Sequence, residues 1–272
     1  MSTAEPSDAD AGLRAEGVSV AHGGVLAVAE VDLVVRPGEL VGLIGPNGAG
    51  KTSTIDALSG FVPHRGRVLL DGVDLTDLPP HRRARAGVVR TWQSVELFED
   101  LTVREHCEVA AVPSGPLGLL ADLVRPGRHR DTSAVDAALA ALDLDDVADR
   151  DPATLSHGRQ KLVGVARAVA AGPRVLLLDE PAAGLDTAES EEFGSRLRHL
   201  VDHGGPGVLL VDHDTRLVFG TCDRVVVLDL GSVIATGTPD EVRDDSRVVQ
   251  AYLGVGSTGP SSEAGSPAGG GA

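Results

Sequence analysis

The stretch VGLIGPNGAGKTSTIDAL, Val41 to Leu58, decides the fold of this chain. Its centre, Gly45 to Ser53, matches G-x-x-x-x-G-K-[ST], the phosphate-binding loop of nucleotide hydrolases. The apolar run Leu40 to Ile44 predicts a short buried strand, and Thr52 to Leu58 has helical spacing. Gly45, Gly48 and Gly50 therefore fall in a strand-to-helix turn. Glycine there allows close backbone approach, so successive N–H groups can point at phosphate oxygens. The helix adds the positive end of its dipole. Gly45, Pro46, Asn47, Gly48, Ala49, Gly50, Lys51, Thr52 and Ser53 form the predicted nucleotide-binding set. Within it Lys51 reaches the β- and γ-phosphates and the Thr52 hydroxyl ligates Mg²⁺. The chain has 24 Lys plus Arg, yet only Lys51 and Lys161 are lysines. In so arginine-rich a chain, a lysine here points to a compact ammonium rather than a fork.

Working outward, Arg174 to Glu180 (RVLLLDE) reads as a buried parallel strand ending in two carboxylates. Ligands gather at the C-terminal ends of such strands. Asp179 is placed to hold Mg²⁺ through water, and Glu180 to activate the water that attacks a γ-phosphate. LSHGRQ, Leu155 to Gln160, opens a helix whose apolar positions Leu162, Val165, Ala166 and Val169 share one face, closed by Gly172-Pro173. Ser156 is its predicted N-cap, and the N–H groups after it form an anion site.

Further strands are predicted at Val31 to Val35, Arg67 to Leu70, Gly87 to Thr91, Val208 to Val211 and Val225 to Leu228. Helices are predicted at Thr132 to Leu142, from about Thr187 to His203, and near Thr215. The strand–helix alternation of the last third implies an α/β protein with a mainly parallel sheet. Residues 1–11 read as an acidic tail and residues 255–272 as a Gly/Ser/Pro-rich one, both expected to be disordered.

Composition narrows the classes. With 272 residues, 42% of them hydrophobic, the chain can bury a large core. A net charge of −16 argues against nucleic-acid binding and against simple adhesion to anionic lipid. Cys107 and Cys222 are two cysteines far apart, which fits a reducing, cytosolic setting better than a disulfide framework. No stretch approaches about 18 uninterrupted apolar residues, and the N-terminus lacks a signal-peptide layout. If the protein works at a membrane, another subunit spans it.

The ordered landmarks give the chain a resemblance to the ATP-binding cassette (ABC) ATPases over about residues 13–254. They are the P-loop, a glutamine loop at Gln93 in RTWQSVELFEDLTVRE, the signature LSHGRQ, the Asp179–Glu180 pair, Asp186 in AAGLD, and His213 in VLLVDHD. The resemblance implies a P-loop NTPase (RecA-like) core with an N-terminal antiparallel β subdomain and an inserted α-helical subdomain at about 96–160, the whole domain covering 12–254. It implies that two ATPase subunits dimerise head to tail around two ATP molecules. Ser156 and Gly158 would then contact the γ-phosphate held by the partner's Lys51. His213 would touch the γ-phosphate, Gln93 would couple Mg²⁺ and phosphate to the membrane partner, and Asp186 would link the two sites. Two positions depart from the usual pattern. His157 stands where the signature commonly has glycine. His22 stands where an aromatic usually stacks on adenine, and it reads either as a smaller stacking face or as a solvated loop histidine.

Within the family the chain is similar to the ATPases of branched-chain amino-acid importers, through RTWQSVELFEDLTVRE, DEPAAGLD, the Pro/Gly-containing stretch between Val112 and Asp131, and GTPDEVRDDSRVVQAYLG. That likeness implies a second ATPase subunit (this chain or a paralogue), two transmembrane permease subunits and an extracytoplasmic solute-binding protein. It places the chain at the cytoplasmic face of the membrane. The solute would be a branched-chain amino acid or a related small polar molecule. A lipopolysaccharide-type exporter ATPase or a soluble non-transport ABC ATPase is the alternative. DNA-repair ATPases place a long coiled coil between P-loop and signature, and the interval from Gly50 to Leu155 is too short for one.

Overall fold

The computed structural model describes residues 11–91, 97–98, 100–111 and 132–254. Gln93, the stretch between Val112 and Asp131, and the tails at 1–10 and 255–272 lie outside these described residues. Strands β1 (Leu13–His22), β2 (Val25–Val35), β4 (Arg65–Leu70) and β5 (Val73–Asp74) form one antiparallel sheet in the order β2-β1-β4-β5. Strands β3 (Leu40–Ile44), β6 (Val88–Thr91), β7 (Val175–Asp179), β8 (Gly207–Val211) and β9 (Arg224–Asp229) form a parallel sheet, with β10 (Ser232–Gly237) antiparallel at its edge. Its order is β10-β9-β3-β8-β7-β6. This is the expected α/β class, with a mainly parallel sheet beside an antiparallel one.

The helices are α1 (Lys51–Ser59), α2 (Pro80–Ala86), α3 (Val103–Ala111), α4 (Ser133–Ala141), α5 (His157–Ala170), α6 (Thr187–Asp202), α7 (Thr215–Thr221), α8 (Pro239–Asp244) and α9 (Ser246–Gly254). Every residue of β3, β7 and β8 is buried, because both faces of the parallel sheet are covered. Strand alternation divides their side chains between two cores. Leu40, Ile44, Leu176, Leu178, Val208 and Leu210 pack with residues of α5 and α6. Val41, Leu43, Leu177, Leu209 and Val211 pack with residues of α1, β1 and β2.

Strands β1 and β10 were not expected, and β2 begins six residues earlier than expected, at Val25. In β1 charged Arg14 and Glu16 alternate with buried Leu13 and Ala15, and Gly17 interrupts the run. In β2, Val25 and Leu26 are exposed. Half-wet strands with irregular register carry a weak apolar signal, and pairing supplies what the sequence lacks.

Arg83 of α2 is 1% exposed. Its guanidinium donates to the carbonyls of Ala57 at 2.7 Å, Leu58 at 2.8 Å, Thr76 at 2.7 Å and Leu78 at 3.0 Å. Two of these belong to the last turn of α1, whose negative dipole end the cation meets. Burial pushes the Arg83 pKa down, against the charges of Asp74 and Asp77, and the dense set of acceptors helps make the buried charge tolerable. Arg83→Met should therefore cost about 3 kcal/mol of stability, measured by urea denaturation, because four buried carbonyls lose a charged donor.

Candidate functional site

The loop between β3 and α1 is wedged against the rest of the domain. A Cβ at Gly45 would lie 2.2 Å from the Leu228 carbonyl oxygen of β9. Gly50 holds φ at 103°, and a Cβ there would lie 2.5 Å from the Ala27 carbonyl oxygen of β2. Neither position can carry a side chain without moving the backbone. The loop rises through half-buried Pro46 to exposed Asn47 and Gly48, then returns at buried Ala49. The Ala49 carbonyl accepts the Gly231 N–H at 3.0 Å. The Tyr252 hydroxyl, on α9, faces the Gly45 backbone, and partial burial pushes its pKa up.

Lys51, at the start of α1, is 7% exposed. Its Nζ donates to the carbonyls of Gly45 at 2.7 Å and Pro46 at 3.1 Å, folding back across the loop. Burial pushes its pKa down, while the charges of Glu180 and Asp212 oppose that. Thr52 is exposed beside it. The Oγ of Ser53 lies 3.1 Å from Nε2 of His22, so the end of β1 is pinned at the loop's mouth.

The end of β7 sits two strands away from β3 in the same sheet. Asp179 is 3% exposed; its Oδ2 accepts from Arg90 Nη2 at 2.7 Å. Its Oδ1 is buried and has no hydrogen-bond partner among the described residues. Glu180 holds a left-handed φ of 47°, and its N–H donates to the Val211 carbonyl at 2.7 Å. A non-glycine residue in that region costs on the order of 1 kcal/mol, and such strain gathers at functional positions. Its Oε2 lies 3.9 Å from His213 Nδ1, which is also 3.7 Å from Asp212 Oδ1. Asp212 is fully buried and accepts the N–H groups of Asp214 at 2.9 Å and Ala182 at 3.3 Å.

The signature segment forms a separate group. Ser156 caps α5 by accepting the Arg159 N–H at 3.3 Å. The Gly158 N–H donates to Glu189 Oε1 at 3.3 Å. Glu189 also forms a capping box with Asp186 at the start of α6. One carboxylate thus ties Gly158 to Asp186. A Cβ at Gly184 would lie 3.5 Å from the His157 ring, an ordinary van der Waals contact, so the side chain at 157 is not crowded from that side.

The structure brings His22, the loop, Lys51, Glu180 and His213 together through these contacts, with Asp179 beside Glu180. Among the described residues, no hydrogen bond joins Ser156, Gly158 or Asp186 to the loop. Sequence reasoning gave no role to Arg90, Glu189, Asp212 or Tyr252. Asp212, Arg90 and Tyr252 stood inside quoted stretches, VDHD, RTWQ and the terminal VVQAYLG; Glu189 was marked only by its capping-box spacing from Asp186.

This geometry coincides with a family profile described as ABC transporter, which matches residues 28–183. The chain belongs to the ABC transporter family. A second profile, described as branched-chain amino acid ATP-binding cassette transporter, matches residues 232–257. The chain is 40% identical over 248 residues to the high-affinity branched-chain amino acid transport ATP-binding protein LivG of Escherichia coli (strain K12), covering 89% of this chain and 97% of that one. It is 36% identical to the lipopolysaccharide export system ATP-binding protein LptB of Haemophilus influenzae, with the same coverage. A crystal structure of the ADP conformation of an ABC-transporter cassette superposes with a TM-score of 0.77 at 29% identity, covering 89% of this chain and 98% of that one. Nucleotide binding, and ATP hydrolysis coupled to transport, follow from membership of this ABC family.

Burial raises the Asp212 pKa from 3.8, against hydrogen bonds from Asp214 and Ala182 that lower it. Between 3.8 and the raised folded value, the folded chain keeps a proton that the unfolded chain has lost. This group's share of stability is present below 3.8 and is lost as pH rises through the folded pKa. Asp212→Asn removes that dependence. In thermal unfolding scans above pH 4 the variant should gain on the wild type as pH rises, by at most about 1.4 kcal/mol per pH unit.

Proposed function

We propose that this chain is the ATPase subunit of an importer for branched-chain amino acids or a related small polar solute, working as one half of a head-to-tail pair. The carrying observation is the separation just described. Each chain holds a phosphate loop with Lys51, Glu180 and His213 in one group and Ser156, Gly158 and Asp186 in another, with no hydrogen bond between them among the described residues. Pairing two chains with opposite polarity would complete both sites, the capped start of α5 from one meeting the loop of the other. The partner would be a second copy or a paralogue.

The residues fit Mg²⁺. Asp179 offers a buried carboxylate oxygen with no hydrogen-bond partner among the described residues, and Thr52 offers an exposed hydroxyl at the first turn of α1. Asp179 and Thr52 would hold the ion, with Gln93 as a further ligand. When bound, the ion would neutralise charge developing on the β- and γ-phosphate oxygens. Lys51 meets the same oxygens with its ammonium. Glu180 accepts a proton from the attacking water, and His213, within 3.9 Å of it, contacts the γ-phosphate. The loop and the start of α5 supply fixed N–H groups, so most of the rate gain comes from positioning and preorganised charge. His22, pinned to Ser53, flanks the nucleoside.

Gln93 would pass closure of the pair to two permease subunits, which hold the chain at the cytoplasmic face of the membrane. An extracytoplasmic binding protein would deliver the solute. The match at residues 232–257 favours import over lipopolysaccharide-type export, the reading that the LptB likeness would support. No nucleic acid takes part.

With Mg-ATP, Glu180→Gln should keep binding but accumulate as a closed dimer on size-exclusion chromatography, with turnover reduced at least about a hundredfold. Rapid turnover by that variant would sink the assignment of the base. Lys51→Ala should lose nucleotide affinity in a fluorescence titration and remain monomeric.

A further inference from the structure

Arg90 lies at the centre of a buried charge bridge. It sits on β6 opposite Leu177 of β7, and its side chain is 5% exposed. Nη2 donates to Asp179 Oδ2 at 2.7 Å. Nη1 donates to Asp56 Oδ1 at 2.5 Å and to Ser59 Oγ at 3.3 Å. Asp56 and Ser59 belong to α1, the helix that Lys51 begins. The guanidinium carbon lies 5.8 Å from the centre of the Phe61 ring, just past the end of α1. A planar fork can serve two carboxylates at once in fixed geometry, which a lysine ammonium cannot match.

The consequence falls on Asp179. With Oδ2 tied to Arg90, the carboxylate is held in one orientation, and Oδ1 is the oxygen left buried without a partner among the described residues. Asp56, Arg90 and Asp179 together carry one net negative charge, so the bridge does not cancel the site's attraction for a divalent cation. Resting on the assignment of Asp179 to Mg²⁺ above, we infer that Arg90 is a positioning residue for the metal. It orients Asp179 so that Oδ1 receives the ion's water, and it locks that orientation to α1 and to the strand that ends two residues before Gln93. Partners that orient metal ligands in this way are worth about 10- to 100-fold in metal affinity.

The test is ATP affinity of the full-length chain with Mg²⁺ and with EDTA, alongside Mn²⁺ binding to the ADP complex by electron paramagnetic resonance. Arg90→Met should lose about tenfold of the metal-dependent gain, keep its affinity in EDTA, and bind Mn²⁺ correspondingly less tightly. Arg90→Lys should fall between it and the wild type. An undiminished gain in the folded variants overturns the inference, and so does an equal fall with and without metal. If circular dichroism shows that Arg90→Met does not fold, Arg90→Lys and Asp56→Asn carry the test. Asp56→Asn weakens one end of the fork, because an amide oxygen still accepts but carries no charge, and should lose about threefold of the gain; an unchanged gain in both overturns the inference. Asp179→Asn separates the two layers. It should abolish the gain, and if it does not, the metal assignment of Asp179 fails whatever the Arg90 variants do.

Discussion

A sheet covered on both faces can show polar side chains only at its strand ends, and this constraint organises the molecule. Strands β3, β7 and β8 are buried throughout. Their charged chemistry begins where the apolar runs stop: at Gly45 after β3, at Asp179 closing β7, and at Asp212 after β8. Because the strands are parallel neighbours, those stops fall along one edge. The phosphate loop, the acidic pair and the VDHD segment therefore meet without any long-range design beyond strand pairing.

Charge at that edge is unevenly satisfied. Lys51 is occupied by loop carbonyls and by the fields of Glu180 and Asp212. Asp212 is held by backbone N–H groups, and Asp179 by Arg90 on one oxygen only. The leftover buried carboxylate oxygen and the left-handed backbone of Glu180 are the two places where local comfort is given up. They lie on residues to which the sequence assigned metal binding and activation of water. At Arg83, by contrast, four carbonyls meet the buried guanidinium.

The legible part of the site was the part written contiguously. Loop residues Gly45 to Ser53 announce themselves because cradle, cation and hydroxyl occupy nine consecutive positions. Ser156 was legible as an N-cap because capping acts across three residues, and the structure shows that bond. Glu189 was not, because its carboxylate reaches Gly158 from a helix 31 residues away. Arg90 was not, because an arginine in a strand states nothing about which carboxylates fold against it.

By itself the sequence determined the fold class, the family and the chemical inventory, since apolar runs, glycine positions and ordered motifs are local properties that survive without coordinates. Only the tertiary structure decided which groups meet: the register of β6 on β7 that delivers Arg90 to Asp179, the closeness of His22 to Ser53, and the reach of Glu189 to Gly158. The reason is physical. Hydrophobic periodicity specifies which face of an element is buried, whereas pairing of charges depends on distances between elements, which packing alone sets.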